Sequence, residues 1–378
     1  MIVTTVRLRN FRNHAETELR FGDGVNVLVG DNGQGKTNIV EALSYLSLTK
    51  SFFGATDATV LRIGCEEFDV CGTIMDGRGN NHTVRVRYEK TSGEKEYVID
   101  GSHPERLSSV IGEFPVVILS PEHGAVTSGG PGERRKFIDL LLSQTSRSYL
   151  EELLEYRRVL KHRNRVLADA KAGSHCVAAD LEPWTVGLVH HGSKIILSRQ
   201  RFFREFLHYV KEAYGTLAGG EEDPHVAYVP SADVDGSDMP EGIAVAFHRC
   251  VEDRADDERR RGMTLVGPHR DDVWLAIDGR GVQEYASQGQ HKTLLVALKL
   301  AEFFYLREQR NDVPLFLLDD VFSELDRQRA GRILDIVAAL GQTVITTTDD
   351  QNLHRAVQWS DRHRRFVIEH GTCRHVTQ

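Results

Sequence analysis

The chain has 378 residues, of which 40% are hydrophobic and 27% charged, with a formal net charge of −8. This length accommodates two domains, or one large domain with an insertion, in an ordinary soluble globular protein. The acidic balance excludes a basic footprint over the whole surface, so any nucleic-acid contact requires a local patch.

No apolar run approaches the ~18 residues of a membrane span, and the alternating start, residues 1–9, has no signal-peptide core. Five cysteines, at 65, 71, 176, 250 and 373, form no CxxC pair. They read as reduced thiols, so the expectation is a cytoplasmic protein with no membrane partner. The 17 histidines show no HExxH or similar ligand spacing.

Residues 1–29 read as three strands, the last being the apolar run Val25 to Val29. The next eight residues are Gly30, Asp31, Asn32, Gly33, Gln34, Gly35, Lys36 and Thr37, and Asn38 opens a helix. Strand, glycine-rich turn and helix start form the context of a phosphate-binding P-loop. The glycines let backbone N–H groups face phosphate oxygens, and the new helix adds its positive dipole end. Lys36 is expected on the β- and γ-phosphates and the Thr37 hydroxyl on Mg²⁺. After the loop, Ile39, Leu43 and Leu46 recur at helical spacing.

Residues 68–101 change to strand character and predict an antiparallel sheet, followed by a buried strand at Pro115 to Leu119. From about 131 to 262 the pattern is mainly helical, with Leu150, Leu153, Leu154 and Leu160 at helical spacing. Strands return at Asp272 to Ile277 and Val282 to Tyr285, and a helix begins near Ser287. Leu315 to Leu318 is an apolar strand ending in Asp319 and Asp320, and a helix over 326–340 and a strand at Thr343 to Thr347 follow. Beside a P-loop, Asp319 is expected near the Mg²⁺ shell, while Asp320 is placed to orient or deprotonate the attacking water.

Ser287, Gln288, Gly289 and Gln290 precede a long helix. A simple N-cap is one reading. The sharper one is the signature motif of ABC-type ATPases, whose hydroxyl and helix dipole address a γ-phosphate held by another subunit. Ser323-Glu324-Leu325-Asp326 follows at the spacing of a D-loop. No NKxD guanine-reading motif is present.

The ordered set FRN (Phe11, Arg12, Asn13), GDNGQGKTN, SPE, GERRKFID, YRRVLKHRN, GPHRDD, SQGQ and LLDDVFSELD resembles the RecF family of bacterial DNA-repair ATPases over nearly the whole chain. The resemblance implies an α/β fold: an ABC-type P-loop ATPase lobe with an attached antiparallel β-sheet and a mainly helical second lobe. The lobes are expected at 1–125 with 263–378, and at 126–262. It implies ATP and Mg²⁺ as cofactors, slow ATP turnover, and an ATP-induced homodimer with residues 287–290 and Asp326 meeting the nucleotide. It further implies binding of double-stranded DNA, especially at single/double-strand junctions beside gaps, and help in loading RecA with RecR and RecO as partners. By motif, Lys36 and Asp320 carry catalysis, and Thr37, Asp319 and Glu122 face the metal. Glu122 stands where ABC proteins have a Q-loop glutamine, and Thr346-Thr347-Thr348 where they have a switch histidine.

Arg157, Lys161 and Arg165 form a basic stripe at helical spacing. A solvated, salt-bridged face and a DNA phosphate contact are both open on the residues, and the resemblance favours DNA. Arg134 to Lys136 and Arg259 to Arg261 are lesser candidates. Gly267-Pro268-His269-Arg270-Asp271-Asp272 has no assigned role. The rival readings are an SMC-like chromosome-organising head, which calls for a long coiled coil, and a transporter's nucleotide-binding subunit, which calls for the missing glutamine and histidine.

Overall fold

A computed structural model describes residues 1–172, 178–220, 222–234, 238–322, 327–348 and 359–376. Strands β1 (Ile2–Phe11), β2 (His14–Arg20) and β3 (Val25–Val29) lead into helix α1 (Lys36–Leu48) and the short α2 (Asp57–Val60). Then come β4 (Glu67–Met75), β5 (Asn81–Glu89), β6 (Lys95–Ile99) and β7 (Val116–Leu119). A largely helical stretch holds α3 (Ala125–Ser128), α4 (Pro131–Thr145), α5 (Arg147–Lys171), α6 (Ala178–Ala218), β8 (Pro224–Val229), α7 (Pro240–Asp253) and α8 (Ala255–Arg261). It continues through β9 (Asp272–Ile277), β10 (Arg280–Gly281), α9 (Val282–Tyr285) and α10 (Gln288–Arg310). The chain closes with β11 (Leu315–Asp319), α11 (Arg327–Leu340), β12 (Thr343–Thr347), β13 (Arg364–Glu369) and β14 (Thr372–His375).

The chain divides into two compact units, residues 1–124 with 296–378, and residues 125–295. The first unit holds a six-stranded sheet in the order β14-β13-β3-β12-β11-β7. All its pairings are parallel except β13 with β14. Parallel strands covered on both faces need continuous apolar runs, and β7, β11 and β12 are buried at every position. The same unit carries the expected antiparallel sheet, in the order β2-β1-β4-β5-β6. In β5 the buried side chains Val84 and Val86 alternate with exposed Thr83, Arg85 and Arg87, as a half-buried strand requires. Phe11, Tyr45 and Phe68 meet edge to face, at ring centroids 5.4 to 5.7 Å apart, and lock β1, α1 and β4 together.

The second unit differs from expectation in three places. The chain returns to the first unit at Val296 rather than at 263. The reason is β9, which pairs along its whole length with β8, a strand inside the region expected to be helical. The strand expected at Val282 to Tyr285 is the helical turn α9, because only Arg280 and Gly281 pair back onto β9. On α5 the buried stripe runs Tyr149, Leu153, Tyr156, Arg163, Leu167, and Leu154 is 42% exposed.

A buried polar network fills this unit and accounts for the GPHRDD segment. Arg199, on α6 and 1% exposed, donates to Asp139 of α4 at 2.7 Å, to Asp271 at 3.3 Å and to the Pro268 carbonyl at 2.8 Å. Asp272 receives a two-pronged bond from Arg134, at 2.7 and 3.0 Å. His269 accepts from the Tyr156 hydroxyl at 2.7 Å and donates to the Thr264 carbonyl at 3.2 Å. Arg270 turns to the Thr264 carbonyl rather than to Asp271 or Asp272. The GERRK and GPHRDD motifs are two halves of one packing hub.

Candidate nucleotide site

β3 delivers the chain to the glycine-rich loop, and α1 leaves it at Lys36. Two glycines are dictated by crowding. A Cβ on Gly30 would lie 2.3 Å from the Ile368 carbonyl oxygen. Gly35, at φ 111°, would place one 2.5 Å from the Asn13 amide. Gly35 caps α1 without a side-chain bond, which leaves the first-turn amides to an anion. Lys36 is 6% exposed, and its Nζ donates to the carbonyls of Gly30 at 2.6 Å and Asp31 at 2.9 Å. Burial pulls its pKa down, and Asp320, Asp319 and Asp31 pull it back up. The ammonium therefore sits folded against its own loop, with carbonyl contacts that a phosphate can replace.

The loop is braced from behind by residues of the β1–β2 turn, β2 and the β13–β14 turn. Arg12 grips Glu41 of α1 with two bonds of 2.7 Å, and Glu41 is fully buried. Asn13 donates to the Gln34 carbonyl at 3.0 Å and accepts from Asn38 at 2.8 Å. His14, fully buried, contacts the Gly35 carbonyl at 3.0 Å through Nε2. The Gln34 side chain accepts the His370 amide at 2.6 Å. Gln34 and Asn38, both expected on the nucleotide, thus have their side chains engaged in bracing the loop.

The expected metal side comes together only in part. The Thr37 hydroxyl donates to Asp319 at 2.8 Å, and Thr346 donates to the same oxygen at 2.7 Å. Asp319 is 4% exposed, and burial raises its pKa. Thr346 also accepts the Asp320 amide at 2.9 Å. Its hydroxyl is therefore spent on Asp319 rather than free to donate to a γ-phosphate. Asp320 takes a left-handed φ of 48°, a strained backbone for a residue with a Cβ. Glu122 lies on the turn Pro121–Gly124, and its pKa is raised by burial, then by Asp319 and Glu41. Its neighbour His123 accepts from the Ser120 amide at 3.1 Å and hydroxyl at 2.8 Å, which pins that turn. Among the described residues no cluster of three or more His, Cys, Asp or Glu could hold a metal by itself.

The motif at 287–290 forms a capping box on α10. The Ser287 hydroxyl accepts the Gln290 amide at 3.2 Å, and the Gln290 side chain accepts the Ser287 amide at 2.8 Å. Gln290 also donates to Glu222 at 2.8 Å. Ser287 and Gln288 are exposed. Asp326 and the rest of the D-loop stretch, 323–326, lie outside the described residues.

A model of the RecF/RecN/SMC N-terminal domain matches residues 2–366. The DNA replication and repair protein RecF of Salinibacter ruber is 41% identical over 351 residues, 92% of this chain and 85% of that protein. The chain belongs to the RecF family. Another RecF, from Chloroherpeton thalassium, is 40% identical over 354 residues, 93% of this chain and 96% of that protein. Among solved structures, the recombination mediator protein RecF–ATPrS of the RecFOR pathway matches with a TM-score of 0.92 at 29% identity, covering 100% of this chain and 98% of the other. An Smc head domain from Pyrococcus furiosus, TM-score 0.57 at 14% identity over 99% of this chain and 95% of the other, shares the ABC-type fold alone.

On the surface of this RecF-family chain, the basic stripe divides. Arg157 is tied to Asp139 at 2.9 Å. Lys161 and Arg165 are exposed, with no ion pair among the described residues. Arg134 is 3% exposed and structural. Arg259 and Arg260 pair with Asp256 and Asp257 one turn earlier. The brace of Arg12, Glu41 and His14 escaped sequence reasoning. Its one signal was the FRN motif, which carries no spacing rule that points to the loop.

Proposed function

We propose that this RecF-family chain is an ATP-gated, double-stranded-DNA-binding recombination mediator. It acts beside single-strand gaps in the cytoplasm and helps load RecA, with RecR and RecO as partners. Its names in the family support this: the relatives are DNA replication and repair proteins, and the matching structures carry ATP or ATPrS in the RecFOR pathway. The observation that carries the reading is the 2.8 Å bond between Thr37, at the P-loop, and Asp319, at the end of β11. It joins two residues separated by most of the sequence, as one phosphate-and-metal station requires.

Hydroxyl and carboxylate oxygens are the hard ligands that Mg²⁺ takes, with phosphate oxygens completing its shell, so Thr37 and Asp319 fit the ion and Glu122 lies close by charge. Held there, Mg²⁺ would neutralise charge on the β- and γ-phosphates. Lys36 exchanges its loop carbonyls for phosphate oxygens. Asp320 accepts a proton from the attacking water. As an aspartate it is one methylene shorter than glutamate, which makes hydrolysis slow and leaves a weak, DNA-dependent ATPase. Ser287 accepts from Gln290, so its own O–H remains to donate to the γ-phosphate of a second copy. ATP thereby favours the dimer, and hydrolysis releases it. Lys161 and Arg165 are the chain's first contacts to DNA phosphates, with Arg157 beside them.

Sedimentation with and without ATP tests this reading. The wild type is expected to dimerise on ATP, while Lys36→Ala and Ser287→Arg stay single. A wild type that stays single, or a Ser287→Arg chain that still dimerises, overturns the sandwich.

A further inference from the structure

The sandwich gives the capping box at Ser287 a partner's phosphate and leaves the surface just before it without a role. That surface is a pocket of about 310 Å³ lined by Ile277, Asp278, Arg280, Tyr285, Ala286 and Gln290. It is continuous with the signature turn through Gln290, whose side chain is held at 2.8 Å by both Ser287 and Glu222. Tyr285, two residues before Ser287, is 67% exposed. Arg280 pairs with Ile277 through its backbone, but neither its guanidinium nor the Tyr285 hydroxyl has a hydrogen bond or ion pair among the described residues. Asp278 is fixed in place: its amide donates to the Asp223 carbonyl at 3.0 Å, and its Oδ1 accepts the Asp223 amide at 2.9 Å. That leaves Oδ2 as an acceptor beside the pocket.

An exposed ring is a stacking face for a planar base. A carboxylate accepts from a ribose diol, and an unpaired guanidinium takes ring or phosphate acceptors. We propose that this pocket is the second half of the nucleoside site: it receives the ribose and base of the ATP whose phosphates lie in the P-loop of the partner copy, with Tyr285 against the base. The inference rests on the sandwich reading and adds to it. The signature turn then reads the end of the triphosphate, and the hairpin before it reads the nucleoside.

The test compares ATP with inorganic tripolyphosphate as the trigger of dimerisation, followed by sedimentation. Wild type is expected to dimerise at a lower concentration of ATP than of tripolyphosphate. Tyr285→Ala raises the ATP midpoint about tenfold, the scale of one lost stacking contact, and leaves the tripolyphosphate midpoint unmoved. Tyr285→Phe restores the wild-type ATP midpoint. In a Ser287→Arg background, which holds the chain single, Tyr285→Ala leaves ATP affinity unchanged. An unshifted ATP midpoint in Tyr285→Ala overturns the subsite while the sandwich stands. So does a loss of ATP affinity in the Ser287→Arg background, because the ring would then serve its own chain's nucleotide. A wild type that never dimerises removes both.

Discussion

At the scale of single residues, the site depends on positions where no other side chain fits. Gly35 combines a left-handed φ of 111° with a Cβ that would meet the Asn13 amide at 2.5 Å. Gly35→Ala is therefore expected to abolish nucleotide binding, measured by titration with a fluorescent ATP analogue, at a stability cost of about 1–2 kcal/mol. Glu41 is buried against a partly exposed Arg12. Glu41→Ala should lower stability by about 2 kcal/mol and weaken ATP binding in parallel, because the arginine that steadies the loop loses its anchor. The glycine spacing and Lys36 were legible in the sequence because the P-loop is contiguous. Arg12 and Glu41 were not, since two charges far apart in the chain give no sign that they meet. Burial also sets a pH limit. His269 is held down to about 4 by burial, and His123 to about 3 by burial and then by Lys299. Unfolded histidines titrate near ~6.5, so below that pH the unfolded chain takes up protons that the folded chain refuses. Stability is whole above pH 6.5 and falls as the pH drops toward 4. Thermal melts across that range should show the loss, and His269→Asn should flatten it.

At the scale of elements, the parallel strands were easy to find and the inserted unit's sheet was not. β11 and β12 are buried throughout, and β11 reads as an apolar run up to Asp319, which leaves few alternatives. β8 is short and lies between glycine-, proline- and aspartate-rich segments, and its identity comes from pairing with β9, which local pattern does not encode. The helices of this unit are fastened by charge. Arg199 of α6 reaches both Asp139 of α4 and Asp271. Arg199→Met leaves two buried carboxylates short of their partner and should cost about 3–5 kcal/mol in denaturant unfolding. ATP affinity at a temperature where the chain is folded should be retained, since the P-loop belongs to the other unit.

At the scale of the whole molecule, a chain of net charge −8 has to rely on local cations for the polyanion it is proposed to bind. Lys161 and Arg165 are exposed and unpaired among the described residues. The double change Lys161→Glu and Arg165→Glu should reduce the salt slope of duplex-DNA binding by about two, with ATP-driven dimerisation intact. An unchanged slope would return the stripe to ordinary solvated surface. The family was legible at this scale because its motifs are spread along the whole chain in a fixed order, which no single motif could have established.

The strand order of the parallel sheet also bears on how the protein is made. β3, which delivers the P-loop, is flanked by β12 and β13, two strands synthesised only after the whole interposed unit. Until those two emerge, the nascent ATPase core has its P-loop strand unpaired on both edges, while the interposed unit, residues 125–295, already has β8, β9 and β10. Emergence of β12 and β13, rather than of the loop that grips phosphate, completes the pairing of the strand that delivers that loop.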